Sequence, residues 1–221
     1  MTDPVMQPLP AMTEIGTSVP PQILLGNHLK ALKLPTFARE YEKVAMEAAG
    51  SRTDYPGYLL RLCELERIDR ERRMVERRIR LARFPHTKSF DTFDFAAQPS
   101  LNKPLVVELA RCEWITTRSN IIALGPSGTG KTHVALALGL AACQKGHSVA
   151  FVTAAALVHE LMEARDERRL RQLQKHLASV KLLILDELGY VPFTAVGSEL
   201  LFEVLSQRYE RGSTLITSNQ P

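Results

Sequence analysis

The spacing of apolar positions changes character part-way along the chain. From Ile23 to Phe84 the period is helical: Phe37, Tyr41, Val44 and Ala48 recur at intervals of three and four, and Gly50 offers a stop. A second helical run follows, in which Asp54 can cap, Pro56 fits the first turn, and Leu59, Cys63, Ile68, Val75, Ile79 and Ala82 form a discontinuous stripe ending at Phe84-Pro85. Residues Pro85 to Ser100, with Phe90, Phe93 and Phe95 among polar residues, read as a linker pinned to a surface by its aromatics. A short helix over Lys103 to Trp114 leads onward.

Beyond it the pattern alternates. Asn120 to Leu124 is a short apolar run, Lys131 to Gln144 is helical and closed by Gly146, and Ser148 to Thr153 is strand-like. Helical material spans Ala154 to Val180, Leu182 to Leu185 is continuously apolar, Ser198 to Arg211 is helical, and Thr214 to Thr217 is again strand-like. Strands alternating with helices predict an α/β fold with a parallel sheet and crossover helices, whose central strands are apolar on both faces. The organisation read from the pattern is a flexible leader over 1–21, a small all-α domain over 22–85, a linker and lead-in helix over 86–119, and an α/β core over 120–221.

Composition narrows the class. With 45% hydrophobic and 24% charged residues, the 221-residue chain matches ordinary globular proteins and argues against disorder and collagen-like repeats. The longest apolar run, Val134 to Cys143, reaches about half the length of a bilayer span, and the N-terminus lacks a basic region followed by an apolar core. A cytoplasmic location without membrane association is expected. Cys63, Cys112 and Cys143 stand in no metal-like spacing and cannot all pair, so all three are read as buried packing residues.

The chemistry lies at strand ends. Gly125-Pro126-Ser127-Gly128-Thr129-Gly130-Lys131-Thr132 matches the phosphate-binding loop GxxxxGK[ST] and sits between a strand and a helix. Its glycines let backbone N–H groups converge, the helix N-terminus adds positive potential, Lys131 neutralises terminal phosphate oxygens and the Thr132 hydroxyl can ligate Mg²⁺. His133 joins the nucleotide-binding candidates by position, although the first turn of a helix favours packing or polar contact over catalysis. Leu182-Leu183-Ile184-Leu185-Asp186-Glu187 is the companion, a buried strand delivering two carboxylates to the edge where open α/β sheets bind ligands. Asp186 would hold Mg²⁺, and Glu187 would orient and deprotonate an attacking water. Because a strand lies in sequence between the two motifs, the layout resembles the additional-strand, catalytic-glutamate ATPases rather than GTPases or small kinases. Asn219, at the tip of the next strand, is the candidate sensor of the γ-phosphate, whereas Thr153 reads as an ordinary strand-end residue.

The net charge of +4 is too small to argue alone, but it is concentrated. Between Arg61 and Arg83, nine arginines stand against five acids, Glu64, Glu66, Asp69, Glu71 and Glu76. Arg70, Arg73, Arg77 and Arg80 fall on neighbouring turns and could track nucleic-acid phosphates, the alternative being a solvated helix stitched by Glu/Arg pairs. A second cluster, Arg165, Arg168, Arg169, Arg171 and Lys175, lies in the α/β part and could line a DNA channel in an oligomer.

Taken together, Leu29-Lys30-Ala31-Leu32-Lys33-Leu34-Pro35, the run ending Ala82-Arg83-Phe84-Pro85, Phe93-Asp94-Phe95, the phosphate loop through His133, Leu185-Asp186-Glu187-Leu188-Gly189-Tyr190 and Thr217-Ser218-Asn219-Gln220-Pro221 resemble the IstB family over 24–221. These are AAA+ ATPase helpers of insertion-sequence transposition, related to the DnaC helicase loaders. The resemblance implies a P-loop AAA+ core that binds ATP with Mg²⁺, forms a homo-oligomer on double-stranded DNA, helps select the target and recruits and stimulates a partner transposase. It carries nucleotide and metal binding to Lys131 and Thr132, metal to Asp186, the water to Glu187 and the sensor to Asn219. It also implies a further strand and a helical lid with arginines for the nucleotide; the sequence stops at Pro221, so the core reads as truncated before the lid. Two other functions fit the same motifs: a DnaC-like loader of a replicative helicase, and a nucleotide-binding interaction module without hydrolysis.

Overall fold

The computed structural model describes residues 20–189 and 192–219. The expected leader, apart from Pro20 and Pro21, and Tyr190, Gln220 and Pro221 of the quoted motifs lie outside the described residues. The chain divides into two compact units, Met1–Arg70 and Glu71–Pro221.

In the first unit, Pro21 occupies the first turn of helix α1 (Pro21–Ala31), which ends where Lys33 turns left-handed at φ 56°. Helix α2 (Pro35–Ser51) begins on Pro35 without a cap from its own N-terminal flank. The cap comes instead from helix α3 (Tyr55–Ala82): the Thr36 backbone N–H donates to Glu66 Oε2 at 2.9 Å and the Thr36 hydroxyl to Asp69 Oδ2 at 2.8 Å. Buried carboxylates are tolerable there because they meet donors at a helix N-terminus, where the backbone N–H groups carry partial positive charge. α2 passes through Gly50 and stops at Arg52, whose φ is 52°. Asp54 caps α3 by accepting from the Gly57 N–H at 2.9 Å. The packed interior of this unit centres on Leu29, Val44 and Leu62.

The second unit takes the last turns of α3 and the α/β core. The expected single helix over Lys103 to Trp114 is two pieces, α4 (Lys103–Leu109) and α5 (Glu113–Thr116), because Cys112 turns left-handed at φ 62° and lets Trp114 fold back to donate to Leu109 O at 2.9 Å. Then follow β1 (Ile121–Leu124), α6 (Lys131–Gln144) and β2 (Val149–Thr153). The expected helix from Ala154 to Val180 is also broken, into α7 (Ala154–Asp166) and α8 (Leu170–Ser179), at a left-handed Arg168. β3 (Leu182–Leu188), α9 (Ala195–Arg208) and β4 (Ser213–Ser218) complete it.

Among the described residues, the four strands form one parallel sheet in the order β1-β4-β3-β2. Alternate residues of β3 enter opposite cores: Leu182 and Ile184 pack with α6, Val149, Phe151 and Leu215, while Leu183 and Leu185 pack with α7, α8 and α9. Burial on both faces is why this strand reads as an unbroken apolar run. Gly139 has a packing reason, since a Cβ there would stand 2.7 Å from Ile184 and 2.9 Å from the Phe84 ring. Cys112 and Cys143 are buried, but Cys63 is exposed on α3, contrary to the expectation for all three. Among the described residues, no helix is long and apolar enough to cross a membrane.

Candidate functional site

Parallel strands deliver their C-terminal ends to one edge of the sheet, and the candidate residues gather there. The loop after β1 carries Gly128 and Gly130 at φ 78° and 84°, conformations that side chains avoid. At Gly130 the constraint is double, because an added Cβ would also lie 2.8 Å from the Phe93 ring. α6 begins at Lys131, so its unpaired N-terminal N–H groups face the loop. The Lys131 ammonium donates to Gly125 O and Pro126 O, both at 2.7 Å, and the Thr129 hydroxyl to Pro126 O at 2.9 Å.

Opposite the loop, Asp186 is almost fully buried on β3, and its carboxylate accepts three contacts from two hydroxyls. Thr132 Oγ1 lies 3.0 and 3.1 Å from its two oxygens, and Thr217 Oγ1, from β4, donates to Oδ1 at 2.5 Å. The neighbouring Glu187 is exposed and left-handed, with φ 61°, where the β3–β4 register shifts; its backbone N–H donates to Thr217 Oγ1 at 3.0 Å. Ser127, Gly128, Gly130, Lys131, Thr132, His133, Glu187, Thr217 and Asn219 line a cleft of about 290 Å³. Hard oxygen donors from a hydroxyl and one carboxylate suit Mg²⁺, which binds through few carboxylates plus substrate phosphates.

The family model described as IstB-like ATP binding protein matches residues 27–221. The chain belongs to this family. Its relatives include an insertion-sequence ATP-binding protein of IS232 from Bacillus thuringiensis, 36% identical over 195 residues, which are 88% of this chain and 78% of that protein. Another is the IS21 ATP-binding protein from Pseudomonas aeruginosa, 37% identical over 192 residues, 87% and 72% of the two chains. Among solved structures, AMPPCP-bound DnaA from Aquifex aeolicus superposes with a TM-score of 0.51 at 21% identity, over 62% of this chain and 43% of that one. The fold is therefore the P-loop AAA+ core preceded by helices, as its IstB-like sequence implies.

The cleft of this family member thus draws together the loop, Glu187 and Asn219, with Asp186 buried behind the lining residues Thr132 and Thr217. His133 both lines it and anchors the preceding linker, with Nε2 3.1 Å from Ser89 O and its ring edge-on to Phe93 at 5.0 Å. Thr153 caps α7 by accepting from the Ala156 N–H at 3.3 Å.

The arginines are elsewhere. Arg70, in the first unit, donates to Lys33 O at 3.1 Å and pairs with Glu66 at 3.4 Å. In the second unit Arg73 is half-buried, while Arg77 and Arg80 are exposed and, among the described residues, tied to no carboxylate. Arg168 is exposed at the α7–α8 break and Arg169 pairs with Glu167. Thr217 is a residue of the site that no sequence motif singles out. The signal available was a hydroxyl two residues before Asn219 on the strand that flanks the acidic pair, but only the β3–β4 pairing brings it to Asp186.

Proposed function

We propose that this chain is an ATP-dependent DNA-binding helper of insertion-sequence transposition, which assembles as a homo-oligomer on double-stranded DNA and recruits a partner transposase. The observation that carries the reading is the convergence of Thr132 and Thr217 on Asp186, opposite a lysine-bearing phosphate loop, in a member of an insertion-sequence ATP-binding family. Lys131 and the α6 N-terminus would hold the terminal phosphates, Thr132 and Asp186 the Mg²⁺, and Asn219 would contact the γ-phosphate. Bound Mg²⁺ supplies neutralisation of the charge on the β- and γ-phosphates. Glu187, exposed beside the cleft, accepts the proton of the attacking water.

DNA binding is assigned to the arginines of α3 and, secondarily, to Arg168 and Arg169. Support comes from how α3 disposes its charges: Glu66 and Asp69 turn inward to cap α2, Glu66 also pairing with Arg70, while Arg77 and Arg80 are exposed and, among the described residues, tied to no carboxylate. DNA affinity measured across salt, with and without ATP and Mg²⁺, tests this. Nucleotide should tighten binding, and Arg77→Ala and Arg80→Ala should each lower the slope of log affinity against log salt by about 1. Binding indifferent to nucleotide refutes the switch, and a flat salt response refutes phosphate contact.

A further inference from the structure

We infer that the Thr217 hydroxyl is a positioning residue that couples the metal-holding carboxylate to the water-activating one. The inference rests on the ATP and Mg²⁺ reading above and assigns a role to a side chain outside the phosphate loop and the acidic pair.

The polarity of the contacts defines the device. A threonine hydroxyl has one proton. Here it points at Asp186 Oδ1, 2.5 Å away, a short charge-assisted bond, so the oxygen's lone pair is left to accept the Glu187 N–H at 3.0 Å. The chain of donation runs from the Glu187 backbone through Thr217 to Asp186, whose carboxylate also accepts from Thr132. Thr217 is 1% exposed and Asp186 3%, so water does not readily substitute for either bond. Two consequences follow. The Asp186 carboxylate is fixed in the plane set by two hydroxyls from different elements, α6 and β4. Glu187 is held left-handed at φ 61°, a conformation costly for a residue with a Cβ, which turns its side chain out of the strand register and toward the cleft it lines. One hydroxyl therefore ties the metal position to the position of the base.

The test compares Thr217→Val, which keeps the shape and removes the hydroxyl, with Thr217→Ser, which keeps the hydroxyl. The readout is the ratio of ATP affinity in Mg²⁺ to that in EDTA, with melting temperature recorded alongside. Partners that orient a metal ligand are worth about 10- to 100-fold in metal-dependent affinity or activity. Thr217→Val should accordingly shrink the Mg²⁺-dependent gain about 10-fold or more while affinity in EDTA stays within about two-fold, and Thr217→Ser should keep the wild-type ratio. A residue that only stabilises β4 would move the melting temperature and leave the ratio alone. Should the valine variant not fold, Thr217→Ala removes the same hydroxyl and the same ratio is read. Folded hydroxyl-less variants with the wild-type ratio, or a serine variant that loses it as fully as valine, overturn the inference. Loss of ATP binding by Lys131→Ala alongside a normal Thr217→Val ratio would sink this inference and leave the nucleotide site standing; a wild-type chain that binds no ATP overturns both.

Discussion

Two buried ions lie at opposite ends of the same parallel sheet, Asp186 at 3% and Arg208 at 1% exposure, and they are held differently. Asp186 takes hydroxyl donors from Thr132 and Thr217, which themselves line an open cleft. Arg208, at the C-terminus of α9, donates to Val180 O at 3.0 Å, Ser213 O at 2.6 Å, Thr214 Oγ1 at 3.2 Å and Leu177 O. Two of these acceptors belong to the last turn of α8 and the residue just beyond it, where a cation meets the negative end of a helix. Gly212 has no room for a side chain there, since a Cβ would lie 2.9 Å from the guanidinium and 3.1 Å from Val180 O. Burial draws the Arg208 pKa down to about 10. A buried charge by itself is thus no mark of a site. Hydroxyls can trade partners with a cation or a phosphate at the rim of a cleft, whereas carbonyls at the ends of elements fix the chain and offer nothing to exchange.

The comparison makes separable predictions. The largest effect belongs to the open end: Glu187→Gln should lower ATP turnover by about 10²- to 10⁴-fold while nucleotide affinity stays near wild type, measured by phosphate release beside equilibrium binding. Next is the closed end. Arg208→Met strips donors from three buried carbonyls, each worth about 1–3 kcal/mol, for a net loss of about 3 kcal/mol and a fall of about 6–12 °C in melting temperature. ATP affinity of the folded variant should not change; a variant that melts normally but binds ATP poorly would break the comparison.

The smallest effect concerns His147, which follows α6 near the same closed end. Burial, with help from Lys181, Arg78 and Lys145, holds its pKa below the usual histidine value. The unfolded chain then binds the proton more readily, so this stability is complete above the ordinary histidine range and is lost as pH falls through it toward the lowered value. Melting temperature followed from pH 8 downward should decline less for His147→Gln than for the wild type; identical profiles would remove His147 from the account.

What the sequence made legible is what short spacings encode. The loop Gly125 to Thr132, the apolar run into Asp186-Glu187 and the alternation of strands and helices are local patterns, each with its own physical reason. The rest depends on partners distant in the chain. Thr217 meets Asp186 across 31 positions, Arg208 meets Leu177 across the same separation, and Thr36 meets Asp69 across 33, so no window of sequence contains them. The breaks at Cys112 and Arg168 carry neither glycine nor proline, so no residue type marks them in the sequence. A count of charges along α3 carries no direction either: Glu66 and Asp69 fold inward onto Thr36 while also pairing with Arg70 and Arg39.

The central claim is that the open end of the sheet, and not the closed one, is the nucleotide site. It is tested most directly by titrating a fluorescent ATP analogue, in Mg²⁺, into the wild type, Lys131→Ala and Arg208→Met, each checked for folding. Saturable binding by the wild type and the folded Arg208→Met chain, with none by a folded Lys131→Ala chain, is the predicted result. Undiminished affinity in Lys131→Ala contradicts it.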